Sequence, residues 1–163
     1  MARKAFDSKD PVQLKKLTMM FGEFRAVDEL TLSVKQDEII ALLGHNGAGK
    51  TTAIYMLTGM LMPASGDATI HGLSIKRQTD QVRQSLGLCQ QLDVLYELIS
   101  VEEHLRMTMR IRTNRIDERD EEMKISEILR ETMLTEHKAK LVKELSGGMK
   151  RKLSLAMALI GGT

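Results

Sequence analysis

The residues with the clearest chemical potential form one glycine-rich run, Gly44-His45-Asn46-Gly47-Ala48-Gly49-Lys50-Thr51, which fits the pattern G-x-x-x-x-G-K-[ST]. A loop that wraps phosphate points successive backbone N–H groups inward and uses conformations closed to residues with a Cβ, so it needs its glycines. In this pattern the lysine reaches the β- and γ-phosphates, the Thr51 hydroxyl ligates Mg²⁺, and the following helix adds its positive dipole end. The predicted nucleotide contacts are Gly44, His45, Asn46, Gly47, Ala48, Gly49, Lys50, Thr51 and Thr52. The His45 side chain occupies a free position of the pattern, and we expect it to face solvent.

A second glycine-rich turn, Leu145-Ser146-Gly147-Gly148-Met149, precedes an apolar-periodic helix. On its own, a serine followed by two glycines is a helix cap with a flexible entry. Its value for function therefore depends on the rest of the chain.

The phosphate loop needs a strand before it and a helix after it. The run Ile39-Ile40-Ala41-Leu42-Leu43 is continuous and apolar, which predicts a central parallel strand covered on both faces. The helix is expected from about residue 49 to 62, and Pro63-Ala64-Ser65-Gly66 ends it.

The flanking segments predict a mixed α/β chain. Residues 12–34 alternate apolar and polar stretches around the turn Phe21-Gly22-Glu23, which is typical of antiparallel strands. We expect short strands at 68–70 and 86–89 and a short helix at 75–85.

The composition changes after Gln91 and indicates a small helical subdomain. Ser100 and Glu103 have capping-box spacing and begin a helix to about Arg112. The charged stretch 117–134 carries apolar residues at helical spacing, so its charges are expected to form a solvated helix face.

Composition limits the class of protein. The chain has 163 residues, 42% of them hydrophobic, which suffices for a globular core. The net charge of +2 gives no support for nucleic-acid binding. Cys89 is the single cysteine, which excludes an internal disulfide. No apolar run reaches the roughly 18 residues of a membrane span, so we expect any membrane-spanning segments to lie in polypeptide outside these residues. Residues 1–11 are predicted to form a flexible leader.

With both glycine motifs in one chain and a glutamine between them, the sequence from about Val12 to Thr163 resembles the nucleotide-binding domain of ATP-binding-cassette (ABC) transporters. Residues 44–51 look like the Walker A loop, and 145–149 look like the signature motif. Cys89-Gln90-Gln91-Leu92 falls at the Q-loop, which makes Gln91 the switch glutamine, and Phe21 falls where an aromatic residue stacks on adenine.

The amino-acid sequences of the motifs resemble those of the A subfamily, which is associated with lipid movement. The similar stretches include residues 44–52, 56–59, 101–105 and 145–162. Gln90 stands where that subfamily usually has proline, and Asp37 stands where glycine usually precedes Glu38.

The resemblance implies a P-loop NTPase (RecA-like) core with an N-terminal antiparallel β subdomain and an inserted helical subdomain. It divides the domain into residues 12–91, with the β subdomain and the Walker A half, and residues 92–163, with the helical subdomain and the signature helix. It also implies a head-to-tail dimer with a second such domain, in which Ser146, Gly147 and Gly148 face the partner's ATP. Lys50 and Gln91 take catalytic roles, and Thr51 and Gln91 contact Mg²⁺.

The resemblance further implies membrane-spanning domains as partners and a place on the cytosolic side of a membrane. The apolar residues after the Q-loop are candidate contacts to those domains or part of the helical core; they are Leu92, Val94, Leu95, Tyr96 and Leu98.

The family's acidic Walker B strand, catalytic glutamate and switch histidine have no counterpart, because no apolar strand ends in Asp-Glu. We therefore expect an incomplete sheet, poor solubility, and a chain that binds ATP weakly and does not turn it over. Two alternatives stay open: a non-catalytic module that binds nucleotide and pairs with a full-length partner, and a soluble ABC ATPase.

Overall fold

The computed structural model describes residues 10–113 and 117–160. Residues 1–9 of the predicted leader and residues 161–163 lie outside the described part of the chain. The chain divides into two compact units, which meet in sequence between Arg83 and Gln84. The predicted division of the domain at residue 91 stays a prediction.

The first unit is built on a four-stranded sheet with the order β2-β1-β3-β4. The strands are β1 (Val12–Phe21), β2 (Phe24–Val34), β3 (Ser65–Ile70) and β4 (Leu73–Ser74). All three pairings are antiparallel. The predicted N-terminal antiparallel strands are therefore confirmed.

The β1–β2 hairpin turns where the sequence predicted it. Gly22 has a φ of 60°, a left-handed conformation that favours glycine, and Phe21 pairs with Phe24 across the turn. The buried apolar residues of this unit come from the strands, from the two helices of the unit, and from the turn that precedes the second helix. The buried set comprises Leu14, Leu17, Met19, Val27, Ala53, Met56, Ala68, Ile70, Ile75 and Val82.

The predicted parallel strand at 39–43 is wrong. These residues form no strand, and the side chains of Ile39 and Leu43 are 98% and 87% exposed. A parallel strand needs parallel partners beside it in the sheet, whereas every described strand pairing of this unit is antiparallel and none includes residues 39–43. The strand predicted at 86–89 is wrong for the same reason, since these residues also lack strand pairing.

Two predicted helices of this unit are present but shorter. Helix α1 (Lys50–Leu57) begins as expected and ends five residues before the predicted position of 62. Thr58 closes its last turn by hydrogen bonds to Ile54 and Tyr55. Helix α2 (Thr79–Gln84) covers the second half of the predicted segment.

The second unit is helical, as predicted. Its helices are α3 (Val101–Arg112), α4 (Glu118–Glu131) and α5 (Gly147–Leu159), with short 3₁₀ helices at Thr135–His137 and Val142–Glu144. Ser100 and Glu103 form the predicted capping box at the start of α3. The core is apolar and comprises Val101, Leu105, Met109, Ile125, Ile128, Leu129, Leu134, Val142, Leu145, Leu153, Ala156 and Ile160.

A buried carboxylate ties α3 to α4. Glu121 is 1% exposed and accepts hydrogen bonds from Arg110, at 2.7 and 2.9 Å, and from Arg106 at 2.9 Å. Arg110, followed by Arg106, holds the pKa of Glu121 below its ordinary value. This carboxylate is therefore ionised at neutral pH and compensated by two guanidinium groups.

Candidate functional site

The phosphate loop of residues 44–51 carries the backbone conformations that its glycines predict. Gly47 and Gly49 both have a φ of 81°, a conformation that residues with a Cβ rarely adopt. Gly49 is also the N-terminal cap of α1, so the loop leads directly into the helix. The first N–H groups of α1 therefore adjoin the loop and can bind anions.

Gly49 also brings the loop against β2. A Cβ at this position would lie 2.2 Å from the Ala26 carbonyl oxygen and 3.0 Å from Val27 Cγ2. A Cβ at Gly47 would meet nothing within 4 Å. Gly49 is therefore required by both conformation and space, whereas Gly47 is required by conformation alone.

The Lys50 ammonium lies over the loop. Its Nζ donates hydrogen bonds to the carbonyl oxygens of Gly44 and His45, each at 2.7 Å. An ammonium carries three N–H donors, so this geometry leaves a further donor for an anion. The His45 ring is exposed, as expected, and its Nδ1–H donates to the Asn46 carbonyl at 2.8 Å.

The two threonines after Lys50 lie in the first turn of α1. Thr51 is exposed and Thr52 is half-buried. A neutral hydroxyl beside a phosphate is a suitable ligand for Mg²⁺, which binds oxygen donors and is held mainly by phosphates and water. The donor set at Thr51 therefore fits the metal that the sequence implies.

An aromatic platform stands at the end of the hairpin in the same unit. Phe21 is half exposed and lies opposite Phe24, which is also exposed. Exposed aromatic rings offer a face for stacking on a planar base. The predicted adenine contact at Phe21 therefore has an accessible ring, and its role stays a prediction.

In the second unit, the serine-glycine turn forms the start of α5. Ser146 is the N-terminal cap, and its Oγ accepts a hydrogen bond from the Met149 N–H at 3.3 Å. Gly147 and Gly148 are exposed, and a Cβ at either one would meet no atom within 4 Å. The turn thus presents open backbone N–H groups at a helix N-terminus, which suits an anion.

Gln91 belongs to the second unit and is exposed. The chain beside it is held by Arg151 of α5, whose Nη1 donates to the Gln90 carbonyl and lies 3.3 Å from Asp93 Oδ1. Sequence reasoning missed Arg151, because a basic residue early in an amphipathic helix usually indicates a solvated face. No local spacing connects it to residues about 60 positions earlier.

The segment after Gln91 exposes four large apolar side chains. We call Leu92, Val94, Tyr96 and Leu98 the apolar strip; each is at least 63% exposed. Leu95 instead packs against the helical core. Of the two roles predicted for these residues, Leu95 takes the place in the helical core, and the other four lie on the surface, where a contact to a partner is open to them.

The backbone of this segment is held by hydrogen bonds from residues of the helical unit. The buried His104 accepts a hydrogen bond from the Tyr96 N–H at its Nε2, at 2.9 Å, and its Nδ1 lies 2.9 Å from the Ser100 carbonyl oxygen. The Glu97 carbonyl accepts from the Lys143 N–H at 3.2 Å. His104 is therefore a structural residue.

The described residues carry neither a cluster of metal ligands nor a candidate membrane span. Residues 10–113 and 117–160 contain no group of three or more His, Cys, Asp or Glu side chains arranged to hold a metal ion. Within the same ranges, no helix has the length and apolar character of a membrane span.

The antiparallel sheet, the phosphate loop at the start of α1 and the serine-glycine start of α5 define a P-loop ATP-binding fold of the ABC type. The family described as ABC transporter matches residues 27–163, and the chain belongs to this family.

The relatives in this family include large A-subfamily proteins. The chain is 41% identical over 150 residues to ATP-binding cassette sub-family A member 2 of Homo sapiens, covering 91% of this chain and 6% of that protein. It is 41% identical over 156 residues to the phospholipid-transporting ATPase ABCA3 of Mus musculus, covering 93% of this chain and 9% of that protein. The chain thus spans less than a tenth of the length of these curated relatives.

A solved structure described as the ATP binding subunit of an ABC transporter shares the fold. The TM-score is 0.79 at 28% identity, over 92% of this chain and 62% of that one. The predicted P-loop fold with an incomplete sheet is confirmed.

Proposed function

We propose that this chain binds ATP as the nucleotide-binding part of an ABC transporter. The observation that carries the proposal is the position of Lys50, whose ammonium lies over a loop with two left-handed glycines at the start of a helix. Such a loop combines a fixed positive charge with inward backbone donors, which is the arrangement that binds nucleotide phosphates.

The residues of the loop divide the work of binding. Lys50 would contact the β- and γ-phosphates, and the backbone N–H groups of the loop and of α1 would surround them. Thr51 would hold Mg²⁺, which neutralises phosphate charge when bound. Phe21 would stack on adenine, and Gln91 would take the family's switch position beside the metal.

In the intact protein we propose that this domain hydrolyses ATP to drive transport of lipids. The support is the relative named a phospholipid-transporting ATPase, which is 41% identical to this chain over the matched residues. The 163 residues supply the phosphate cradle of this reaction, and turnover also depends on groups that place the metal and the attacking water.

Two surfaces of the helical unit are proposed to bind partners. The open turn of Ser146, Gly147 and Gly148 would bind the ATP held by a second nucleotide-binding domain. The apolar strip would contact membrane-spanning domains on the cytosolic side, because four exposed large apolar side chains in one short segment are typical of a contact surface.

Titration of the purified chain with ATP tests the proposal. Lys50→Ala removes the loop's charge and is expected to weaken binding by about tenfold to a hundredfold, the range for a charge-assisted contact. Lys35→Ala is the matched control, because Lys35 is an exposed lysine of the same unit outside the loop. Equal ATP affinity in wild type and Lys50→Ala would exclude the loop as the binding site.

A further inference from the structure

The chain on both sides of Gln91 is held by one side chain of α5. Arg151 donates a hydrogen bond from Nη1 to the carbonyl oxygen of Gln90, the residue before Gln91. The same nitrogen lies 3.3 Å from a carboxylate oxygen of Asp93, two residues after it. Both contacts involve a charged donor, and the second joins opposite charges.

Arg151 also lies close to the serine-glycine turn along its own helix. It follows Gly148 by three residues and Gly147 by four, so these positions share one face of α5. A helix is a rigid element over this distance, and a displacement of its first turn moves Arg151 with it. The side chain therefore connects the start of α5 to the backbone beside Gln91.

The next residues of the segment have other anchors. His104 holds the Tyr96 N–H, and the backbone of Lys143 holds the Glu97 carbonyl. These contacts begin five residues after Gln91, so they fix the later part of the segment. The part that carries Gln91 is tied to α5 through Arg151.

We propose that Arg151 is a positioning residue for Gln91, which sets the placement of that glutamine from the signature helix. The inference rests on the proposed function in one respect, namely the assignment of Gln91 to the magnesium of bound ATP. In this role Arg151 acts through the Gln90 carbonyl and Asp93, which it holds, and not by direct contact with nucleotide or metal.

The single cysteine of the chain offers a direct reporter. Cys89 adjoins Gln90 and is half-buried, so its reaction rate with a disulfide reagent such as DTNB measures how often this stretch opens. Arg151→Gln removes the charge and is expected to raise the rate about three- to tenfold, a moderate factor because both partners are partly exposed. Asp93→Asn keeps the bond to the Gln90 carbonyl and is expected to raise it less.

Two further variants separate positioning from general loosening. Arg151→Lys keeps the charge and is expected to restore part of the wild-type rate, although its single ammonium lacks the guanidinium's planar geometry. Arg130→Gln makes the same change at an exposed arginine of α4 and is expected to leave the rate unchanged. Circular dichroism spectra that match wild type establish that each variant is folded.

ATP titrations with Mg²⁺ and with EDTA then test the consequence for Gln91. Arg151→Gln and Gln91→Ala are expected to lose the same part of the magnesium-dependent gain in affinity, and Arg151→Lys to recover some of it. ATP binding in EDTA is expected to stay at the wild-type level in all three, because Lys50 and the loop are intact.

The outcomes are distinct. An unchanged thiol rate in Arg151→Gln would overturn the proposal that Arg151 holds the segment. A faster thiol rate with an unaltered magnesium effect would overturn its role in placing Gln91. A magnesium effect that survives in Gln91→Ala would instead contradict the proposed role of Gln91, and the thiol rates would still decide whether Arg151 holds the segment.

Discussion

Two glycines with the same backbone conformation allow a sharp test of the phosphate loop. Gly47 and Gly49 both have a φ of 81°, but a Cβ would meet open space at Gly47 and the Ala26 carbonyl oxygen, 2.2 Å away, at Gly49. Gly47→Ala therefore bears the conformational cost alone, about 1–2 kcal/mol for a left-handed alanine. Gly49→Ala bears a similar cost together with a steric clash against backbone that cannot move away as a side chain would.

These conformational and steric costs can be converted to an expected loss of ATP affinity. If the loop must recover its native conformation to hold phosphate, the cost for Gly47→Ala weakens ATP affinity by about 5- to 30-fold. Overpacking adds about 1–3 kcal/mol, which brings the cost for Gly49→Ala to about 2–5 kcal/mol and the expected loss of affinity to roughly 30-fold to several thousand-fold. The part of the clash that persists in the free folded chain lowers the midpoint of urea unfolding instead of the affinity, so the summed loss in unfolding and binding free energy is expected to be larger for Gly49→Ala than for Gly47→Ala.

The assays are calorimetric titration with MgATP and urea unfolding followed by circular dichroism, on wild type and both variants. The reasoning fails if the two alanine variants show equal losses in affinity and in unfolding free energy. It would then follow that the approach of the loop to β2 contributes nothing beyond the backbone conformation.

Two further predictions concern the helical unit. Glu121→Gln should lower the free energy of unfolding by about 1–3 kcal/mol at pH 7, because it removes a charged acceptor from Arg110 and Arg106. Because Arg110 and then Arg106 hold the folded-state pKa of Glu121 below its ordinary value, this wild-type advantage is fully present at neutral pH, well above the ordinary pKa of a glutamate. It declines as the pH falls through the folded-state pKa, and urea midpoints that differ equally at pH 7 and pH 3 would contradict it. Ser146→Ala should lower the unfolding free energy by about 1 kcal/mol through loss of the cap. Ser146→Asp should restore the unfolding free energy but abolish ATP-dependent dimerisation, because the carboxylate repels phosphate. Dimerisation that persists in Ser146→Asp, measured by analytical ultracentrifugation, would exclude a phosphate contact at this turn.

Local signals in the sequence predicted much of the fold. The capping box at Ser100, the Gly22 turn and the glycine loop before Lys50 depend on interactions between residues a few positions apart, and the structure contains all three. The parallel strand at 39–43 depended on partners elsewhere in the chain, and continuous apolarity could not say whether those partners would be present. The same limit explains why Arg151 was missed, since its contacts join positions 58 and 61 residues apart.

In the candidate site, too, local features were predicted from the sequence and long-range contacts were not. The positions within the phosphate loop follow from one motif, so sequence alone located Lys50 and Thr51 at the start of α1. The close approach of Gly49 to Ala26 could not be read from the motif, because it arises from the packing of the loop against β2.

The separation of the chain into two compact units has a consequence for recombination between relatives. Among the described residues, the buried core of the helical unit runs from Val101 to Ile160 with Leu95 packed against it, and the buried residues around the sheet precede Gln84. A gene fusion with its junction at 85–87 therefore exchanges the helical unit while leaving the residues of each core together. Chimeras of this kind would transfer the apolar strip and its anchors together with Gln91 and the serine-glycine turn, while the phosphate loop stays with the sheet.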